Sequence, residues 1–121
     1  MSESSAGVID ESVLDSYRML QEDGQPDVVT EFIDAFLGDL PTRLERIRDA
    51  VAAKEPRDIK SAAHALKGAS AAVGAVRLTQ ACAELEVLGR GGQSAGSDEL
   101  LTQIEAEAAQ AREGLLPIRR P

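Results

Sequence analysis

Residues 29–51, VTEFIDAFLGDLPTRLERIRDAV, decide the fold. Val29, Ile33, Phe36, Leu40, Leu44, Ile47 and Val51 step by four, three, four, four, three and four. That rhythm keeps one apolar stripe along a helix of about seven turns. Pro41 lies inside the run. Proline removes an i→i−4 hydrogen bond and usually bends or breaks a helix. Because the stripe continues in phase across it, the spacing predicts one kinked, continuous helix rather than two separate ones.

The pattern extends in both directions. Upstream, Ile9, Val13, Tyr17 and Leu20 recur at roughly helical spacing before a break at Asp23-Gly24-Gln25-Pro26, which predicts a short first helix ending near Gln21 or Glu22. Downstream, Lys54-Glu55-Pro56 marks a junction, with Pro56 suited to a first helical turn. The helix it opens runs to about Val73 and stops at Gly74, a residue that accepts a left-handed terminal conformation. Val76 to Leu88 carries Leu78, Cys82, Leu85 and Leu88 on one stripe. Gly89 to Gly96 reads as a flexible linker, with Ser97 or Asp98 able to cap the last helix. That helix shows Leu101, Ile104, Ala108, Ala111 and Leu115 on one face and ends near Gly114 to Pro117. Short connections between long amphipathic helices favour an antiparallel four-helix bundle, with the first short helix as a lid. The expected class is all-α, with a tail at 1–8, one domain at 9–116 and a second tail at 117–121.

Composition sets the same limits. A chain of 121 residues supports one core. Tyr17, Phe32 and Phe36 are the only aromatics, and alanine and leucine outweigh β-branched residues, which favours helix over strand. Lys plus Arg is 13 against 21 Asp plus Glu, a net charge of −8, which argues against a nucleic-acid binder that must neutralise phosphates. One cysteine and one histidine exclude an intrachain disulfide, a cysteine-rich zinc site and any paired-imidazole metal site. No apolar run approaches the ~20 residues of a membrane span. The amino terminus lacks the basic start and apolar stretch of a signal peptide. A soluble, cytoplasmic protein is expected, and Met1 with its polar tail favours a separate protein over a segment of a larger one.

The single histidine is the informative residue. With His64 at zero and about 100° per residue, Ile59, Ala62, Leu66, Ala69 and Val73 fall roughly 140° to 220° away. Arg57, Lys60, Lys67, Gly68 and Ala71 fall within about 60° of it. His64 therefore projects from the solvent face, with two of the three lysines on adjoining turns. An exposed imidazole can present a ring nitrogen as a nucleophile near pH 7. Lys67, three residues on, can offer an ammonium to a phosphoryl oxygen. Gly68 costs about 1 kcal/mol in mid-helix relative to alanine, and it clears bulk beside the imidazole so that another protein can approach. The bland alternative stands beside this: a solvated histidine between solvated lysines, with Gly68 serving helix packing. Cys82 reads as a small core residue, and Glu84, Glu105 and Glu107 as solvated helix surface. Glu84 and Glu86, two apart, do not face each other and suggest no acid–base pair.

The stretch His64-Ala65-Leu66-Lys67-Gly68-Ala69-Ser70, with Gly74-Ala75, Leu78, Cys82, Leu85 and Glu86, resembles the signature of histidine-containing phosphotransfer (HPt) domains. Ala63 before the histidine also matches, and Phe36, Pro41, Leu44, Ile47 and Ala50 resemble the family's second helix, where an internal proline is common. The likeness runs from about Asp27 to Leu116 and is weak in the amino-terminal tail and at Gly89–Gly96. It implies a four-helix bundle that relays phosphoryl groups between receiver-domain aspartates, or between a histidine kinase and a receiver, in two-component signalling. By resemblance His64 carries the phosphoryl on Nε2, Lys67 steadies its oxygens and Gly68 admits the receiver. Mg²⁺ and most catalytic residues are then the receiver's, and this chain binds no metal or other cofactor of its own. Arg57, Lys60 and Ala71 join Gly68 as candidate docking residues, with Ala72 and the first helix at the edge. Ser70, on the inward side, is assigned to packing or a hydrogen bond across the bundle. A carrier without kinase activity, monomeric by resemblance, is the expectation. The alternatives are a helical adaptor that binds a receiver or kinase without carrying phosphate, and an enzyme using His64 as general base. The intact His-x-x-Lys-Gly set counts against the adaptor, and the lack of a second catalytic residue counts against the enzyme.

Overall fold

The computed structural model describes residues 7–120. It forms five α-helices: α1 (Glu11–Arg18), α2 (Val28–Ala53), α3 (Pro56–Ala72), α4 (Val76–Arg90) and α5 (Ser97–Leu115), followed by a 3₁₀ turn at Leu116–Ile118. No strand occurs among the described residues. The predicted tail at 1–8 lies mostly outside the described residues.

Helix α2 is continuous through Pro41. Proline's ring is exposed, outside the stripe that packs, and Val29, Ile33, Phe36, Leu40, Ile47 and Val51 are all buried on one side of a single helix. Asp27 caps it by accepting from the Thr30 backbone N–H at 2.9 Å, satisfying one of the donors a helix start leaves unpaired. Lys54 ends it in a left-handed conformation, and Pro56 opens α3 at its first turn. The four long helices enclose a core of aliphatic and alanine side chains, among them Ile33, Ile47, Ile59, Leu66, Leu78, Leu85, Ile104 and Leu115.

Two backbone features fix α3 against its neighbours. Gly74, at φ +74°, reverses the chain between α3 and α4, and a Cβ there would stand 2.4 Å from the Asp10 carbonyl oxygen. The segment before α1 uses that gap, since the Asp10 N–H donates to the Gly74 carbonyl at 2.7 Å. Gly89 corrects the expectation that the linker begins there. It is a buried residue inside α4, and a Cβ on it would meet the Pro56 carbonyl oxygen at 2.6 Å and the Lys60 backbone nitrogen at 2.7 Å. Only glycine lets α4 lie so close to the first turns of α3.

Helix α1 is shorter than its apolar spacing predicts and leaves Met19 and Leu20 exposed. It is held over one end of the α2–α3 pair. The Tyr17 ring stacks on Phe32 at 4.3 Å between centroids, and its hydroxyl donates to the Ala72 carbonyl at 2.6 Å. At the chain ends, Val8 and Ile9 are buried, Arg119 pairs with Asp34 on α2 at 2.7 Å, and the Arg120 N–H donates to Thr30 Oγ1.

Candidate functional site

Helix α3 sorts its residues as the rotation predicts. Ile59, Ala62, Leu66 and Val73 are buried, with Ala69 half-buried beside them. On the opposite face the His64 side chain is 68% exposed, and Arg57, Lys60, Gly68 and Ala71 are exposed as well. A Cβ built on Gly68 meets nothing within 4 Å, so this glycine is not a packing residue: it leaves the surface one turn beyond His64 free of side-chain bulk. Ser70 is fully buried and shares a 2.9 Å hydrogen bond with Thr79 of α4, which ties the two helices together on the inward side.

The residue that organises the histidine comes from the next helix. Glu86 on α4 is 3% exposed. The His64 Nδ1–H donates to its Oε2 at 3.0 Å, the Lys67 ammonium stands 2.6 Å from Oε1, and Arg90 Nη2 donates to Oε2 at 2.8 Å. A carboxylate taken out of water is costly unless paired, and here two hydrogen bonds on Oε2 and the Lys67 ammonium beside Oε1 converge on it. The Lys67 contact, with His64 adding to it, holds the Glu86 carboxyl below the usual carboxylate range against the opposing effect of burial. Glu86 is thus ionised near neutral pH and can only accept hydrogen bonds. The proton of a neutral His64 must then reside on Nδ1, which leaves the lone pair on Nε2, the ring atom turned away from Glu86.

Lys67 is consequently not a free cation at rest. It lies on the expected face, half-buried, and is engaged by Glu86 at 2.6 Å. Arg57 and Lys60 share the His64 face without pairing to the imidazole; they add positive charge to its surroundings. Ala71 and Ala72 are exposed, and the Ala72 carbonyl accepts from the Tyr17 hydroxyl, so the structure brings α1 and the end of α3 together. On the other flank, α2 and α3 form a groove lined by Thr42, Arg43, Arg46 and Ala65. Cys82 is a buried core residue, its thiol pushed up to about 12 by burial.

Sequence reading missed Glu86 as a site residue in its own right, and it misplaced Glu107, whose side chain is only 13% exposed and pairs with Arg77 at 3.0 Å. A signal for both was present. On a helical projection Glu86 falls about 40° from Cys82, inside the buried stripe of α4, and Glu107 about 40° from Ala111 on α5. An acidic residue within an apolar stripe must have a partner. Among the described residues no three His, Cys, Asp or Glu side chains come together in a way that could hold a metal ion. No described helix is long and apolar enough to cross a membrane.

Comparison with known proteins gives a consistent picture. The family model described as Hpt domain matches residues 31–114. Histidine-containing phosphotransfer protein 2 of Arabidopsis thaliana is 29% identical over 93 residues, which cover 74% of this chain and 60% of that protein. The chain therefore matches less than two thirds of this curated relative's length. The crystal structure of histidine-containing phosphotransfer protein B from Pseudomonas aeruginosa PAO1 superposes with a TM-score of 0.81 at 32% identity, covering 92% of this chain and 93% of the other.

Proposed function

The chain belongs to the Hpt domain family, and from that premise we propose that it carries a phosphoryl group on His64 Nε2 as an intermediate of a two-component phosphorelay. The observation that carries this reading is the Glu86–His64 hydrogen bond, which in the neutral imidazole puts the proton on Nδ1 and leaves the Nε2 lone pair free for the phosphoryl group.

The chemistry rests on this geometry. A receiver aspartyl phosphate approaches the His64 face, with Gly68 leaving room for it. The Nε2 lone pair forms the N–P bond as the P–O bond to the aspartate breaks, and the aspartate leaves with that electron pair. The imidazole keeps its Nδ1 proton and so becomes cationic, and the Glu86 carboxylate stands against the new charge. Lys67 swings from Glu86 to the phosphoryl oxygens. Phosphoryl transfer depends on in-line positioning and charge stabilisation more than on protein acid–base chemistry. Mg²⁺ belongs to the receiver in this scheme, where it neutralises charge on the transferring group; this chain contributes the nucleophile and its positioning.

Partners are accordingly receiver domains and a sensor or hybrid histidine kinase, met in the cytoplasm by a carrier without kinase activity that works as a monomer. The positive setting of His64 in a chain of net charge −8 suits an acidic receiver site. The test incubates wild type and His64→Gln with receiver domains carrying labelled phosphate. Label on wild type alone, labile to acid and stable to alkali, supports the relay. Binding without label on either protein identifies an adaptor instead.

A further inference from the structure

Resting on the relay reading, we infer that Arg90 is a positioning residue for phosphoryl transfer: it holds Glu86 in place as an ionised acceptor while Lys67 is away on the phosphoryl group. Glu86 Oε1 has one ionic neighbour, the Lys67 ammonium at 2.6 Å. Oε2 has two, His64 Nδ1 at 3.0 Å and Arg90 Nη2 at 2.8 Å. When Lys67 swings outward, Oε1 loses its partner in a place where Glu86 is 3% exposed. A buried carboxylate left so would take up a proton or hold Lys67 back.

Arg90 removes that conflict. It sits one turn beyond Glu86 on the same helix, at i+4, and its own side chain is 58% exposed. It holds Oε2, whereas Lys67 stands against Oε1, so its contact is separate from the one Lys67 gives up. Glu86 faces His64 and Lys67 from α3 and Arg90 from α4, and among the described residues no salt bridge reaches it from α2 or α5. Two cations therefore share the carboxylate at rest, and one remains during transfer. The charge balance then closes: the ring becomes cationic as the N–P bond forms, Glu86 opposes that charge, Arg90 keeps Glu86 ionised, and Lys67 faces the phosphoryl oxygens.

The experiment compares wild type, Arg90→Gln and Arg90→Lys in single-turnover transfer from one charged receiver domain, across pH. The receiver's own pH dependence cancels in the ratio of variant to wild type. The acidic limb of the Arg90→Gln profile is expected about one pH unit higher, roughly tenfold slower at a pH on that limb, with Arg90→Lys restored most of the way. At rest, ¹⁵N spectra of the imidazole should show the Nδ1–H tautomer in all three, because Lys67 still holds Glu86. Superimposable pH profiles, or loss of that tautomer in resting Arg90→Gln, would overturn the role assigned to Arg90 while leaving the carrier reading intact. Absence of label on wild type from a panel of charged receivers would overturn the carrier reading and this role with it.

Discussion

Two glycines inside the site's helices should respond to the same substitution with opposite signs. At Gly89 an added Cβ meets the Pro56 carbonyl oxygen at 2.6 Å, the Lys60 nitrogen at 2.7 Å and the Lys60 Cα at 3.1 Å, all of them backbone atoms that cannot rotate aside. Comfortable carbon contacts lie at about 3.5–4.0 Å, so α4 must move from α3 by roughly 1 Å. Overpacking against three backbone atoms falls in the upper part of the usual range, about 2–3 kcal/mol, offset by about 1 kcal/mol of improved helix propensity, a net cost of about 1–2 kcal/mol. At Gly68 nothing lies within 4 Å, and alanine gains about 0.5–1 kcal/mol of propensity without a clash. At about 4 °C per kcal/mol for a chain of this size, Gly89→Ala should melt about 4–8 °C lower and Gly68→Ala about 2–4 °C higher. Circular dichroism melts measure both. The displacement at Gly89 also reaches Glu86, three residues earlier, whose 3.0 Å bond to His64 cannot survive a shift of about 1 Å. The ¹⁵N spectrum of Gly89→Ala should therefore show a mixture of imidazole tautomers where wild type shows one. Equal melting temperatures for Gly89→Ala and wild type, or a rise for both variants, would refute this seating of α4 on α3.

The same contacts have other consequences. Replacing Gly68 with leucine should leave the fold intact, since the space is open, yet slow transfer from a receiver at least tenfold in single-turnover assays by blocking its approach. Glu86→Gln should lower the melting temperature near neutral pH, because two cations lose their shared carboxylate. Since the folded Glu86 carboxyl titrates below its ordinary 4.5, its stabilisation is complete above that pH and is lost as pH falls through the lower folded value; the gap between wild type and Glu86→Gln should close there in a pH series of melts. Cys82, buried and with its thiol pushed up to about 12, should resist alkylation at pH 8 in the native protein and react on unfolding.

Much of this architecture was legible in the sequence because it rests on periodicity. The stripe from Val29 to Val51 carried α2 through Pro41, since a proline on the exposed face leaves the buried stripe in phase. Rotation about α3 placed His64 outward and Ser70 inward, and both lie there. What escaped depends on relations between helices. Nothing local distinguishes Gly89 from the glycines just after it, because its role is set by the Pro56 and Lys60 backbone across the α3–α4 contact. Glu86 was part of the recognised signature but carried no assigned role, and Lys67 read as a free ammonium, until α4 was brought against α3 and the two became partners. The first helix fell short for a similar reason: Leu20 continues the apolar spacing but is exposed, with no core to meet.

The central claim is that Glu86 fixes the proton on His64 Nδ1 so that Nε2 accepts the phosphoryl group. It is tested most directly by phosphorylating uniformly ¹⁵N-labelled protein from a charged receiver domain and recording long-range ¹H–¹⁵N spectra of the imidazole before and after. Nδ1–H with a bare Nε2 is expected before, and a phosphorus coupling on Nε2 with the Nδ1 proton retained after. Phosphorus on Nδ1, or a resting tautomer with its proton on Nε2, would contradict it.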